Sequence, residues 1–488
     1  MSAGRFPIPA LAVLLAATAL AACAPIPDLG PRPVARAPDS IAAQQSLAGS
    51  TAANWPGEGW WSAYGDPQLT QLIEEGLRGS PDIAAAAARL RKAAGYAQQA
   101  GAALLPSLDV TGDAGYQKQS YNNGFPKEFV PKGWIDRGQL AGDFSFDIDL
   151  WGKNRAALAA ATSEERAAEI EARQARLMLT TSIADAYADL ARLYAERDIQ
   201  QRTLDLRLAT QQLVTQRESN GLETRGSVRQ TDANVSTARA SLAAADEAIM
   251  LRRNQIAALI GAGPDRGLTI AAPKLAGLAA QGLPADVTTN LIGRRPDIAA
   301  ALARTEAAAS RIKVARADFF PAISLSGLVG VQALHLDSLF SKDSIYGNAG
   351  PAISLPIFHG GAISGNYRGA RATYDEAVAN YDKTVIGAYQ EVADAVASRQ
   401  TLTRRLGEAR AAVTASEAAY AIARQRYEGG LSTYLDVLNV EDRLLTARQA
   451  VAELDARAFT LDVALIRALG GGFTAVDARF AAKEDPNG

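Results

Sequence analysis

Two sets of side chains in this sequence could do chemistry. The first is a lone thiol: Cys23 is the one cysteine among 488 residues. Leu20-Ala21-Ala22-Cys23 has the form of a bacterial lipobox, in which the thiol is diacylated and the cysteine becomes the first residue after cleavage. An ordinary cleaved signal with an incidental cysteine is the other reading. Either way, a disulfide within the chain is excluded. The second set is five carboxylates, Asp109 and Asp113, then Asp143, Asp147 and Asp149. Even spacing on extended backbone puts such residues on one face, making a strip of negative charge. Only His335 and His359 are present, and neither has a partner at metal-ligand spacing. No Walker A sequence, Gly-x-Ser-x-Gly or paired-Cys pattern occurs. No catalytic residue, metal or cofactor is therefore expected beyond a lipid on Cys23. Lys plus Arg total 50 against 52 acids, a balance that argues against a nucleic-acid partner.

The segments around these residues set their context. Arg5 and the apolar run Ile8 to Ala22 suit a secretory signal and are too short for a confident membrane span, giving a signal peptide at 1–22. Residues 23–66 begin as a tether interrupted by Pro25, Pro27, Pro31, Pro33 and Pro38. No later stretch is long and apolar enough to read as a membrane helix.

The rest is written twice. Pro81-Asp82-Ile83-Ala84-Ala85-Ala86 recurs as Pro296-Asp297-Ile298-Ala299-Ala300-Ala301, an offset of 215 residues, which also pairs Arg89 with Arg304 and Pro106 with Pro321. Further on, an offset of 209 pairs Gly152 with Gly361, Arg217 with Arg426, and Gly221-Leu222 with Gly430-Leu431. These matches predict a tandem duplication, with repeats at 67–262 and 284–471, a linker at 263–283 and a tail at 472–488. Each repeat reads as a helix running to Pro106 or Pro321, two strands, a very long helix, a Gly-Leu turn and a second long helix.

Period-two alternation marks the strands. Leu108, Val110, Ala114 and Tyr116 alternate with Asp109, Thr111 and Asp113; Leu140, Phe144, Phe146, Ile148 and Leu150 alternate with Asp143, Ser145, Asp147 and Asp149. In the second repeat Ile323, Leu325, Val329 and Val331 lie opposite Ser324 and Ser326, and Ala349, Pro351, Ile353, Leu355 and Ile357 lie opposite Asn348 and Ser354. Lengths near ten residues fit tilted strands crossing a bilayer. A soluble sandwich with one face on a core is the alternative. Four strands cannot close a barrel, and lipid tolerates no open edge. Transmembrane strands would therefore demand a trimer of twelve strands. In that case the five carboxylates face the lumen and favour cations.

The helices from 153 to about 218 and from 362 to about 427 would each extend about 100 Å. Val437, Val440, Leu444, Ala447, Val451, Leu454, Ala458, Leu461, Leu465 and Ala468 keep heptad spacing, matched in phase by Val228, Val235, Ala238, Leu242, Ala245, Ile249, Ile256 and Leu259. A seam of this kind predicts coiled-coil packing.

Arg295-Pro296-Asp297-Ile298, Phe320-Pro321-Ala322-Ile323-Ser324-Leu325, Asp147-Ile148-Asp149-Leu150-Trp151-Gly152-Lys153 and Arg426-Tyr427-Glu428-Gly429-Gly430-Leu431 resemble the motifs of the TolC-like outer-membrane factors. With the lipobox and Trp60-Trp61, the chain is similar to the lipoprotein (NodT-type) branch that serves RND multidrug pumps. The resemblance implies an α+β membrane protein and a homotrimer, with a twelve-stranded outer-membrane barrel continuous with a twelve-helix periplasmic tunnel. It implies partners: outer-membrane lipid, a periplasmic adaptor (membrane-fusion) protein and an inner-membrane RND-type pump. Ala24 after the lipobox implies sorting to the outer membrane. By resemblance, Arg217, Gly221, Leu222 and Thr224, with Arg426, Gly430, Leu431 and Thr433, meet the adaptor; plain hairpin turns are the alternative. Asp436 occupies the constriction position, with Asn439 where the pattern has a second acid, and Leu435 offers an apolar constriction instead. A solvated surface Asp436 is equally open. The function implied is passive efflux of drugs or other small toxic compounds. The exit duct of a type I secretion system and a lipid-anchored periplasmic coiled coil without a pore are the alternatives.

Overall fold

The computed structural model describes residues 26–37, 40–47, 53–122, 124–274, 283–284 and 287–474. The expected signal peptide, Cys23 and the end of the expected tail lie outside the described residues. The chain divides into two compact units. One comprises Leu90–Ala168 and Ala301–Tyr381 with the N-terminal segment up to Ala35; the other comprises Arg36–Arg89, Glu169–Ala300 and the chain from Asp382.

The first unit is built on a four-stranded antiparallel sheet in the order β1 (Ser107–Gln117), β2 (Ile135–Ile148), β3 (Ala322–Ala333), β4 (Ile345–Ser354). Its register brings the alternation of all four strands into agreement. Leu108 pairs with Phe144, Phe144 with Gly327, and Ile323 with Ile353 on one face. Asp109 pairs with Asp143, Asp147 with Ser324, and Leu328 with Asn348 on the other. The oily face covers no core: Leu108, Val110, Tyr116, Leu140, Val329, Ile345 and Ile353 are all exposed. A soluble sandwich would bury that face, because contiguous exposed apolar surface is costly in water.

Helices α1 (Pro67–Gly79) and α2 (Pro81–Ala102) precede the sheet. Asp66 caps α1 by accepting from the Gln68 N–H at 2.9 Å, with Pro67 at the first turn, where no N–H is needed. Helices α3 (Lys153–Ser219) and α4 (Arg225–Leu259) form one hairpin; after the short α5 (Pro264–Leu268), α6 (Val287–Arg294) and α7 (Pro296–Ala317), helices α8 (Ala362–Glu428) and α9 (Tyr434–Ala468) form another. Helices α2 and α7 both have 22 residues, α3 and α8 both 67, and α4 and α9 both 35. Helices α2 and α7 stop four residues short of Pro106 and Pro321. The residue before a proline is driven out of the helical region, and at each site the chain closes two overlapping tight turns instead, Leu104 and Leu105 N–H donating to Gly101 and Ala102 O, and Phe319 and Phe320 N–H to Arg316 and Ala317 O.

The second unit has its main core where Trp60, Tyr64, Leu69, Leu72 and Ile73 pack on Ile183, Tyr187 and Leu190 of α3, Ile249 and Ile256 of α4, and Phe459, Val463 and Ile466 of α9. The heptad seam is seen in the burial of Val235, Ala238, Ala245, Ile249 and Ile256, and of Val437, Leu444, Leu454, Leu461, Leu465 and Ala468.

Candidate functional site

The two hairpin turns share one backbone. Gly221 and Gly430 both sit at φ 73°, a left-handed conformation that glycine adopts without strain. Around them Leu222 N–H donates to Arg217 O and Leu431 N–H to Arg426 O, both at 2.8 Å, the pairing that closes a helix end through a left-handed residue. Thr224 Oγ1 then accepts from Ser227 N–H at 3.1 Å to start α4, and Thr433 Oγ1 accepts from Asp436 N–H at 3.4 Å to start α9. Leu222 and Leu431 are left 65% and 73% exposed, apolar side chains offered outward at two equivalent points.

The side chains of the two turns differ. Arg217 lies over the Tyr427 ring, 4.9 Å from its centre, and donates through Nη1 to the carbonyls of Tyr427 and Glu428, each at 3.3 Å. It thus satisfies the carbonyl end of α8, where a helix dipole favours a cation. Its counterpart Arg426 is exposed. Tyr427 Oη donates to Glu223 at 3.0 Å, and Asn234 donates to Tyr434 Oη at 3.0 Å. Tyr427, Tyr434 and Val437 bury against Val214 of α3, forming a small core just behind the turns.

Of the expected constriction residues, Leu435, Asp436 and Asn439 are all exposed on α9. Asp436 also caps its own helix: its carboxylate accepts from Thr433 N–H at 2.9 Å and Thr433 Oγ1 at 2.8 Å, completing a reciprocal box. The Thr433 backbone N–H holds this carboxyl below its ordinary range.

Sequence reasoning missed the pair behind the turns. Glu441 of α9 is fully buried and lies 2.8 Å from Nε of the nearly buried Arg207 of α3. Arg207 Nη2 donates to Asp442 at 2.8 Å. Burial pushes Glu441 up to about 7 against the pull of Arg207. The heptad pattern gave no signal, because Glu441 falls between Val440 and Leu444, where a charge reads as an outer-face residue.

On the wet face of the sheet the structure places Asp109, Asp113, Asp143 and Asp147 together. Asp143 accepts from Thr111 Oγ1 at 3.1 Å, and Arg137 meets Asp113 at 2.9 Å. The fifth residue of the expected strip requires correction. Asp149 lies just past β2 and accepts from the backbone N–H groups of Asn154 and Arg155, each at 3.0 Å, and from Arg155 Nε at 3.1 Å. It caps α3 rather than lining the strand face. Gly152 at φ 74° turns the chain there, and the exposed N–H groups of a helix start draw the nearest carboxylate. His335 meets Asp136 at 3.1 Å at the other end of the sheet. Among the described residues no three His, Cys, Asp or Glu side chains group to hold a metal ion.

Comparison with known proteins agrees with this architecture. The family model described as outer membrane efflux protein matches residues 72–262 and 287–471. The fusaric acid resistance protein FusA of Burkholderia cepacia is 34% identical over 371 residues, covering 74% of this chain and 69% of that protein. The pyoverdine export outer membrane protein OpmQ of Pseudomonas putida is 31% identical, covering 88% of this chain and 92% of that protein. Among solved structures, the outer membrane protein VceC of Vibrio cholerae is similar with a TM-score of 0.80 and 46% identity, covering 86% of this chain and all of that one. The paired hairpins, the sheet with one oily and one acidic face, and these matches over both halves have one meaning: the chain belongs to the outer membrane efflux protein family and is a channel protein of the outer membrane.

Proposed function

We propose that three copies of this chain close a twelve-stranded barrel in the outer membrane, continuous with a twelve-helix tunnel in the periplasm. Each protomer would be a tandem structural duplication. The duct conducts small toxic compounds passively, supplied by an inner-membrane RND-type pump through a periplasmic adaptor. One observation carries the reading: β1 and β4 each have a neighbour on one side only, and the oily face of the sheet is bare. Lipid tolerates an apolar face but not unpaired strand edges, so the edges must meet those of further copies.

On this reading the adaptor engages the turns through Leu222, Leu431 and Arg426, while Arg217, Thr224 and Thr433 shape them. Leu435, Asp436 and Asn439 form the constriction, and Asp109, Asp113, Asp143 and Asp147 line the lumen. A diacylated Cys23 adds a second hold on the membrane. The names of the relatives run from fusaric acid resistance to pyoverdine export and cation efflux. That range supports a duct whose cargo is chosen by its partners.

Planar-bilayer recording on the purified protein tests the proposal. Trimeric particles giving cation-preferring steps are expected. Monomeric particles without conductance would end the barrel reading, and clear anion preference would remove the carboxylates from the lumen. An exported Cys23→Ser protein should still insert as a trimer.

A further inference from the structure

The described part of the β1–β2 connection, at the end of the sheet away from the helices, is a folded object with an unusual surface. Gly133 N–H donates to Tyr121 Oη at 3.0 Å, Phe129 N–H closes a turn onto Pro126 O at 3.0 Å, and Val130 is buried beneath. Having buried Val130, this loop holds its larger apolar groups outward: Phe125 and Phe129 are exposed, and Trp134 is 70% exposed. Lys118, Lys127 and Lys132 are interleaved with them, exposed, against one acid, Glu128. No ion pair among the described residues involves these lysines. The neighbouring β3–β4 connection also exposes an aromatic ring, Phe340, but its charge is opposite, with Asp337 and Asp343 outnumbering Lys342. Strand alternation puts Tyr116, paired with Asp136, on the oily face, and Trp134 two residues before Asp136 shares that phase.

We propose that this loop is a seat for phosphate-bearing lipid headgroups of the outer leaflet, the three lysines taking the phosphates and Phe125, Phe129 and Trp134 entering the acyl boundary. Lysine stems lie along apolar surface while their ammonium groups reach polar ligands, and aromatic rings favour the same interface. The loop is continuous with the bare oily face, and its excess of cations complements an anionic lipid surface. The proposal rests on the membrane-barrel reading above.

The test uses the full-length protein and lipid A, a phosphorylated glycolipid, as the probe. In detergent micelles, adding lipid A should shift tryptophan emission to the blue, and Trp134→Phe should remove that shift. Combined Lys118→Gln, Lys127→Gln and Lys132→Gln should weaken the response on the order of a hundredfold, about fivefold per lysine. Phe129→Ser alone should also weaken it, and Lys342→Gln should leave it unchanged. Insertion into phosphatidylcholine vesicles is scored separately: if the parent protein fails there, the barrel reading falls and the loop proposal with it. Normal insertion of parent and triple variant with equal lipid A responses overturns the loop proposal alone. So does an emission change that follows protein concentration instead of lipid A, which would assign the loop to contact between copies.

Discussion

The two hairpin turns share Arg, Gly, Leu and Thr at equivalent positions and adopt the same backbone, yet they are finished differently. Both close on a glycine at φ 73° and restart on a threonine cap. Beyond that, the first turn sends Arg217 across to cover the second, and the second sends Tyr427 back to Glu223 of the first. About two helical turns further, equivalent carboxylates part company. Asp232 of α4 stays near the surface, bonded to Gln211 and Arg229, while Glu441 of α9 is sealed against Arg207. Backbone geometry is thus the shared part, and long-range polar contacts make the halves unequal. Matched elements can specialise without altering their framework.

The inequality is broken most forcefully at Arg207. Arg207→Met, at a pH where Glu441 is ionised, strands a buried carboxylate and should cost about 3 kcal/mol, read as lost hydrogen-exchange protection in α9. Asp232→Asn should change protection by less than about 1 kcal/mol; equal losses would erase the distinction. Glu441 also gives the second hairpin a pH dependence. Its value rises from 4.5 to about 7, so the fold prefers the protonated side chain. That contribution is complete below pH 4.5, declines between 4.5 and 7, and is gone above. The span is up to about 3 kcal/mol at about 1.4 kcal/mol per unit. Glu441→Gln should flatten the protection of α9 across this window, and an unchanged slope would assign the proton elsewhere. Arg207 keeps Asp442 throughout.

Smaller effects sharpen what the turns share. Gly221→Ala and Gly430→Ala should each cost about 1–2 kcal/mol, because a Cβ is strained at this φ and neither site is crowded. Clearly unequal costs would mean that the backbones are not equivalent in solution. Thr224→Ala should cost about 1 kcal/mol. Thr433→Ala should cost somewhat more, since Asp436 loses its hydroxyl partner as well. Leu222→Ala and Leu431→Ala should leave the stability of the hairpins unchanged and weaken capture of a purified adaptor; unaltered capture would place the contact elsewhere.

Much of this framework was legible because local rules specify it. Prolines mark where α2 and α7 must end, Gly-Leu marks the turns, and period two marks the strand faces. The misplacement of Asp149 shows where such rules stop. Its parity fits the strand, but the free N–H groups of α3 compete for its carboxylate. Asp436 shows a similar competition, since Thr433-x-x-Asp436 is itself a capping signature beside the constriction position that the resemblance implies. The inward turn of Arg217 and the burial of Glu441 were not legible. Each depends on a residue about 210 or more positions away, and neither spacing nor composition carries that information.

The matched helix lengths carry an evolutionary constraint. Inserting one residue into α3 alone, upstream of Arg207, would rotate everything beyond it by about 100° and advance it about 1.5 Å. Arg207 would leave Glu441, and Arg217 would leave the carbonyls of Tyr427 and Glu428. Homologous channels of other lengths should therefore differ by insertions made in both hairpins together, in steps near seven residues that restore the same helix face. Reach into the periplasm can evolve, but only as a paired, quantised change.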